Sequence, residues 1–286
     1  MSEIIRAFLD DTAQIIGPKF SFDQEVMGRS EREKEVAKFV LDKAKLVYDE
    51  GKKLGGVVPL GRISAYIMHR VYLQKYSKAE EGPKKAVGAD IVEMSNDELI
   101  LRQSIVEFGN KLVEEDLVQG TWGNISVRLN KKEMLVTPSG VAYDRLTPND
   151  IMKVDINNLK YAPNGSLKPT SEKILHSQIY RKRKDVWAVV HTHSTYCSVF
   201  AACEKSIPMA DDKKEKYTDY IKCAPYGTPG SNRLGEDTAL AVGRGWGAIM
   251  SHHGMVACGS SLEDAFNNCK EIEKMAKDHL DNIKKG

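Results

Sequence analysis

The chain has 286 residues, of which 41% are hydrophobic and 29% charged, a composition typical of a globular protein rather than a disordered or fibrous one. Its 42 lysines and arginines nearly balance its 40 aspartates and glutamates, which excludes the strong basic excess of a nucleic-acid-binding protein. No apolar run approaches the roughly 20 residues that cross a bilayer, and we expect no secretory signal. We therefore expect no nucleic-acid partner and no membrane partner.

The N-terminal segment has the pattern of a short amphipathic helix over residues 1–18. Apolar side chains repeat there at helical spacing, and the charged side chains fall on the other side. Gly17-Pro18 then ends the pattern. The apolar stripe consists of Ile4, Ile5, Phe8, Leu9, Ile15 and Ile16.

A helical extension and a linker follow over residues 19–90. The sequence predicts helices over 30–53 and 63–76, separated by a glycine-rich stretch. Residues 77–90 are polar, lack periodicity and contain Gly82-Pro83, which is typical of a linker. We therefore assign the main domain to residues 91–286.

The main domain alternates predicted helices and strands. Ser95 and Glu98 predict a capping box at the start of a helix over residues 95–117. The chain has no G-x-G-x-x-G motif, which argues against a dinucleotide-binding fold. Further strands are predicted over 124–129, 133–137, 187–191, 248–251 and 255–258, and further helices over 171–182, from 194 and from about 261.

The five cysteines are scattered, odd in number and without a C-x-x-C pair. This pattern predicts neither a disulfide framework nor a thiolate zinc site. A reducing, cytoplasmic setting fits it best.

His191-Thr192-His193 lies at the end of an apolar predicted strand. Residues two apart in an extended segment point the same way, so both imidazoles are expected on one side. Such a pair suits a divalent transition metal, and three protein ligands with an open position are typical of a catalytic site. A third histidine is available at His252-His253-Gly254, where Gly254 permits a close backbone approach.

Glu172 and three small-residue turns indicate acid/base chemistry next to an anion. Thr170 and Ser171 precede Glu172 at a predicted helix start, where free amides attract anions. His176, one turn further along, is expected to be a surface residue or a hydrogen-bonded core histidine. The other two turns, at 120–124 and 137–140, combine glycines with hydroxyl or amide side chains. Together they predict a phosphate pocket beside a metal.

Six segments, in this order and spacing, resemble the class II aldolase/adducin family. They are GTWGNISVRL, TPSGVAYDRLTPNDI, KPTSEKILHSQIY, AVVHTHS, CAPYGTPGS and SHHGMVACG, and the resemblance covers about residues 92–283. It implies an α/β fold, a three-layer α/β/α domain with a mainly antiparallel sheet. It also implies zinc-dependent cleavage of a ketose 1-phosphate, such as L-fuculose 1-phosphate, to dihydroxyacetone phosphate and L-lactaldehyde.

The resemblance also implies roles for individual residues. Zinc would be held by His191, His193 and His253, although His252 stays open as a substitute for His253. Glu172 would be the acid/base and can also ligate zinc, and Tyr226 would reach the site of a neighbouring subunit in a homotetramer. Phosphate would bind among Gly123, Asn124, Ser139, Gly140, Thr170 and Ser171.

Alternatives within the family are a pentulose-5-phosphate 4-epimerase and a sugar-phosphate dehydratase. Outside enzymes, the alternative is an adducin-like binding module, which the three histidines and Glu172 argue against. Residues 1–18 are similar to encapsulation peptides, which implies a microcompartment shell protein as a partner. The other interpretation of that helix is packing onto the chain's own helices.

Overall fold

The structure is a computed structural model that describes residues 46, 49–54, 94–118 and 122–283. The helix predicted over 1–18, the helix over 63–76 and the linker over 77–90 lie outside the described residues. The helix over 30–53 is described only near its end, where a 3-10 turn spans Lys52–Leu54. The division of the chain at residue 90 therefore stays a prediction.

The described chain has helices on both faces of one large sheet. In chain order, the strands are β1 (Asn124–Arg128), β2 (Glu133–Val136), β3 (Met152–Asp155), β4 (Ala188–Thr192), β5 (Ile207–Pro208), β6 (Tyr220–Ile221), β7 (Cys223–Ala224), β8 (Gly247–Met250) and β9 (Gly254–Gly259). The helices are α1 (Asn96–Glu114), α2 (Lys173–Lys182), α3 (Thr195–Ala202), α4 (Lys214–Tyr217), α5 (Asn232–Val242) and α6 (Leu262–Ile283).

The sheet has seven strands in the order β3-β2-β1-β4-β9-β8-β7. Every neighbouring pair is antiparallel except β7 with β8, which is parallel. Strands β5 and β6 form a separate two-stranded ribbon. The predicted mainly antiparallel sheet is therefore confirmed.

Alternate residues along the central strands contact opposite helical layers. In β4, Ala188 and Val190 belong to the core with α1, α3 and α6, whereas Val189 belongs to the core with α2 and α5. Strand β9 follows the same rule, with Met255 on the first side and Val256 on the second. Because both faces are covered, the central strands β1, β4, β8 and β9 are buried throughout and the domain has the predicted three layers.

Element boundaries follow the sequence with specific differences. Helix α2 starts at Lys173 rather than Ser171, because residues 170–172 form a turn in which the Lys173 amide donates to the Thr170 carbonyl at 3.2 Å. Strand β3, helix α5 and the short strands β5–β7 were not predicted. Among the described residues, no helix combines the length and apolar composition that a membrane crossing needs. All five cysteines are free thiols, as expected.

The predicted capping box at α1 forms only in part. Ser95 Oγ accepts from the Glu98 amide at 3.2 Å, as expected of an N-cap. The Glu98 carboxylate does not complete the box, because it is buried and forms ion pairs with Arg102 at 2.7 Å and Lys153 at 2.6 Å. Two cationic partners, one from the next turn of α1 and one from β3, have therefore replaced the backbone amide of the box.

Helix α3, which follows His193, is capped from a distant part of the chain. Ser194 occupies the N-cap position, but its hydroxyl donates to Glu273 of α6 at 2.7 Å. The Glu273 carboxylate also accepts from the amides of Tyr196 at 2.7 Å and Cys197 at 2.9 Å. One carboxylate thus accepts hydrogen bonds from the first turn of α3 and joins the residues after β4 to α6.

Replacing Glu273 with alanine should lower the free energy of unfolding by about 2 kcal/mol, because three donors lose one charged acceptor. Chemical denaturation measures the effect. Glu263→Ala, an exposed glutamate of the same helix, is the control and should change the free energy by less than about 0.5 kcal/mol. Equal losses in the two variants would contradict the capping role.

Candidate active site and metal centre

The site lies at one end of the three central strands β1, β4 and β9. Strand β4 ends there, and β1 and β9 begin there, because both are antiparallel to β4. The register pairs Asn124 with His191 and Thr192 with Met255. Side chains at the end of β4 and in the loop before β9 are thus brought into one volume.

Three histidines converge at this end of the central strands. The Nε2 atoms of His191 and His193 lie 2.8 Å apart, and one nitrogen from each of His191, His193 and His253 lies within 4.8 Å of the others. The ring centroids are 4.6 to 5.1 Å apart. His191 and His253 are buried and His193 is half-buried. The geometry can hold one metal ion, and His191 and His193 face one side as the spacing predicted.

The orientation of His191 is fixed from behind. Its Nδ1 donates to the Met255 carbonyl at 2.8 Å, so its Nε2 faces the other histidines. Such an outer contact is typical of a metal-binding imidazole, because it selects the tautomer and holds the ring.

The structure brings His253 rather than His252 to the other two histidines. His253 joins the cluster, whereas the His252 Nε2 contacts the Glu204 carboxylate at 2.9 Å. His252 also has a φ of +55°, in the left-handed region, which turns the two neighbouring rings to different sides.

Glu172 occupies the N-cap position of α2 and closes the cluster. Its Oε1 lies 2.9 Å from His253 Nε2 and its Oε2 lies 3.1 Å from His191 Nε2. Asn124 donates its side-chain amide to Oε2 at 2.9 Å. Burial alone raises the pKa of the Glu172 carboxyl, but His191, His253 and the hydrogen bonds outweigh burial and hold the pKa well below its ordinary value. The group is therefore a carboxylate that can act as a base.

The predicted turns at 137–140 and 168–171 lie side by side next to Glu172. Ser139 donates its amide to the Lys168 carbonyl at 2.8 Å, and the Thr170 amide donates to Thr137 at 3.1 Å. The hydroxyl residues Ser139 and Ser171 are exposed, whereas Thr170 is buried.

Two glycines shape this region differently. Gly140 has a φ of +75°, and no atom lies within 4 Å of where its Cβ would be, so its turn borders open space. Gly123 has a φ of +86°, and a Cβ there would lie 2.6 Å from the His191 carbonyl oxygen. The first leaves room for a ligand and the second lets β1 approach β4.

Comparison with known proteins identifies the family. The model of the family described as "Class II Aldolase and Adducin N-terminal domain" matches residues 103–280. L-fuculose phosphate aldolase of Haemophilus influenzae is 35% identical over 181 residues, which is 63% of this chain and 82% of that protein. The chain belongs to the class II aldolase and adducin family.

Further relatives show both the fold and the range of reactions. A solved structure of L-fuculose 1-phosphate aldolase has a TM-score of 0.62 and 32% identity, and the match covers 68% of this chain and 89% of that one. The 3-oxo-tetronate 4-phosphate decarboxylase of H. influenzae is 31% identical over 188 residues, 63% of this chain and 87% of that protein. The protein is an aldolase of this family, and its substrate is a separate question.

Tyr226 is not brought to the three histidines of its own chain. It is 49% exposed, on the loop after β7, and its ring centroid lies 6.1 Å from that of His252. The geometry leaves it available to a neighbouring molecule.

Sequence reasoning missed one residue and underestimated another. Trp122, half-buried, lies with its ring centroid 6.3 Å from that of His193 at the edge of this class II aldolase site. His176 is a fully buried core residue, which was one expectation, but it also contacts Asn124. No local pattern in the sequence signals that contact.

Gly254→Ala should weaken metal binding about 10-fold or more, because the new Cβ would lie 2.4 Å from the Thr192 carbonyl oxygen and 2.7 Å from His193 Cδ2. Titration with cobalt(II) measures the affinity. Gly140→Ala is the control, because its φ of +75° strains the alanine but its Cβ meets no other atom, so it should bind the metal as the unmodified protein does. Unchanged affinity in Gly254→Ala would show that the histidines do not depend on this close approach.

Proposed function

We propose that this aldolase binds zinc through His191, His193 and His253 and cleaves a ketose 1-phosphate, such as L-fuculose 1-phosphate, to dihydroxyacetone phosphate and L-lactaldehyde. The observation that carries the proposal is the contact of Glu172 with two of the three histidines, beside the Ser139–Gly140 and Thr170–Ser171 turns. An acid/base, a ligand set and an anion pocket thus adjoin each other.

The donor set fits a cation. The Met255 carbonyl accepts a hydrogen bond from His191 Nδ1, so a neutral His191 ring would direct its Nε2 lone pair at the Glu172 carboxylate 3.1 Å away. Two such acceptors repel unless positive charge lies between them. Nitrogens on a tetrahedral zinc are about 3.4 Å apart, which the histidine spacing of 2.8 to 4.8 Å spans. Bound there, zinc would supply Lewis-acid stabilisation of negative charge on the substrate's oxygens.

Glu172 is proposed to move the proton at the reacting carbon. Cleavage breaks the bond between the third and fourth carbons, and its electron pair passes to the enediolate of dihydroxyacetone phosphate. The oxygen on the fourth carbon loses its proton and becomes the aldehyde oxygen, and the enediolate carbon gains a proton. As a carboxylate, Glu172 would remove that proton in the synthesis direction and return the same proton in cleavage.

The phosphate is proposed to bind at the small-residue turns. The exposed hydroxyls of Ser139 and Ser171 and the open face of Gly140 support this position. Gly123, Asn124 and Thr170 are proposed from the family resemblance alone, since Asn124 and Thr170 are buried and Gly123 lies against the His191 carbonyl. Tyr226 is proposed to handle the proton of the aldehyde oxygen in the site of a neighbouring subunit, within a homotetramer. Its exposure supports this role.

Two measurements test the proposal directly. The purified protein should contain about one zinc per chain, and a coupled assay should detect dihydroxyacetone phosphate released from L-fuculose 1-phosphate. Epimerisation without free dihydroxyacetone phosphate would favour the 4-epimerase, and carbon dioxide from a 3-oxo acid phosphate would favour the reaction named for the decarboxylase relative. A purified protein that contains no zinc and does not turn over L-fuculose 1-phosphate would overturn the proposal.

Glu172→Gln should slow proton exchange at the enediolate carbon about 100-fold or more, because an amide cannot accept that proton. Hydrogen exchange into dihydroxyacetone phosphate, followed by NMR, measures the rate. Affinity for an inert analogue of dihydroxyacetone phosphate should stay the same. Glu204→Gln, the glutamate that contacts His252, is the matched control and should exchange at the unmodified rate. Unchanged exchange in Glu172→Gln would assign the base to another residue.

For residues 1–18, which lie outside the described structure, we propose docking to a microcompartment shell protein. The support is the apolar stripe of a helix too short to be stable alone in water.

Deletion of residues 1–18 should leave activity and melting temperature unchanged and abolish co-purification with co-expressed shell protein, because the helix would serve only as a docking element. A loss of several degrees in melting temperature would instead show that the segment packs on its own chain.

A further inference from the structure

The polar side of β1 is buried, contrary to the usual pattern. Along this strand, Asn124, Ser126 and Arg128 alternate with Ile125 and Val127, yet all five are buried. An alternating strand normally directs its polar side to water. Here α2 covers that side, so each polar group requires a partner within the protein.

Four hydrogen bonds connect this face of β1 to Glu172. Tyr180 Oη lies 2.8 Å from Ser126 Oγ, which lies 2.6 Å from His176 Nδ1. His176 Nε2 lies 2.5 Å from Asn124 Oδ1, and the Asn124 amide donates to Glu172 at 2.9 Å. We call this series the β1–α2 hydrogen-bond chain.

Only one assignment of donors and acceptors satisfies every bond of the β1–α2 hydrogen-bond chain. The Glu172 carboxylate can only accept, so Asn124 directs its NH2 group to it and its carbonyl oxygen to His176. That oxygen requires a proton on His176 Nε2, so Nδ1 accepts from Ser126, which accepts from Tyr180. Burial, with a smaller effect of nearby His191, lowers the pKa of His176 to about 3, so the ring carries a single proton.

The other neutral tautomer would reverse the contact with Glu172. With its proton on Nδ1, His176 would face Asn124 with a lone pair, and the Asn124 amide would turn its NH2 group toward it. The carbonyl oxygen of Asn124 would then oppose the Glu172 carboxylate, two acceptors 2.9 Å apart. The tautomer of His176 thus selects which atom of Asn124 meets Glu172.

We propose that His176 is a positioning residue of this enzyme, which through Asn124 fixes the Glu172 carboxylate against His191 and His253. The buried polar side of β1 serves this purpose, with Ser126 selecting the tautomer of His176. The inference rests on the proposed role of Glu172 as the acid/base.

A matched pair of serine variants tests the inference. Ser126 belongs to the β1–α2 hydrogen-bond chain. Ser177 on α2 is also buried but donates instead to the Ile156 carbonyl at 2.5 Å. Ser126→Ala should lower kcat for proton exchange about 10-fold with KM unchanged, because His176 loses the donor that selects its tautomer. Ser177→Ala should lower the melting temperature by a similar amount and leave kcat unchanged. Equal losses of kcat in both variants would show that the β1–α2 hydrogen-bond chain contributes only to packing and would overturn the inference.

Two substitutions of His176 separate positioning from stability. A glutamine can donate to Asn124 and accept from Ser126, whereas a leucine can do neither. His176→Gln should therefore retain most activity and cobalt(II) affinity, and His176→Leu should lose 10- to 100-fold in each. Equal activity in the two variants at equal melting temperature would overturn the inference.

The tautomer itself can be observed without substrate. Nitrogen-15 NMR of the full-length enzyme should show His176 protonated at Nε2 alone, and Ser126→Ala should show a mixture. A proton on Nδ1 in the unmodified enzyme would refute the inference even if aldolase activity is found. Conversely, absence of dihydroxyacetone phosphate release would refute the proposed function while the tautomer and the cobalt(II) affinities still decide the inference.

Discussion

Antiparallel pairing of β4 with β1 on one side and with β9 on the other places the end of one strand beside the starts of two others. Everything else at the site depends on this arrangement. His191 and His193 come from the end, and Asn124 and His253 from the starts. The strands can approach closely because glycine stands where a Cβ would collide with the neighbouring backbone, at Gly123 and at Gly254.

The site is divided between rigid strands and adjustable turns. His191 lies in β4, and His193 and His253 directly adjoin the central strands β4 and β9, which are buried on both faces, whereas Ser139, Gly140 and Ser171 lie in turns that face open space. Metal ligands require precise placement, and a sheet interior supplies it. Turns tolerate substitution more readily. Relatives named for an aldolase and for a decarboxylase are consistent with such a division, since both act on phosphorylated substrates according to their names.

Local sequence patterns predicted what depends on neighbouring residues. The H-x-H spacing placed two imidazoles on one side, and Gly254 indicated close backbone approach, because both follow from strand geometry. The layered fold came from the family resemblance, which also agreed with the acid/base role that the turn before Glu172 had indicated. The burial of the polar side of β1 could not be predicted, because the alternation in N-I-S-V-R is equally typical of a strand whose polar side faces solvent. Nothing near Ser194 indicates that its partner is Glu273, 79 residues away.

The contact of Glu273 with the start of α3 has a consequence for the order in which the enzyme is made. Synthesis proceeds from the N-terminus, so His191 and His193 emerge from the ribosome well before residue 273 does. Until then, the first turn of α3 has no carboxylate to accept its amides, and β4 has no β9 beside it. Assembly of the histidine cluster therefore waits until β9 and Glu273 have been synthesised, after strands β1 to β8 have already left the ribosome.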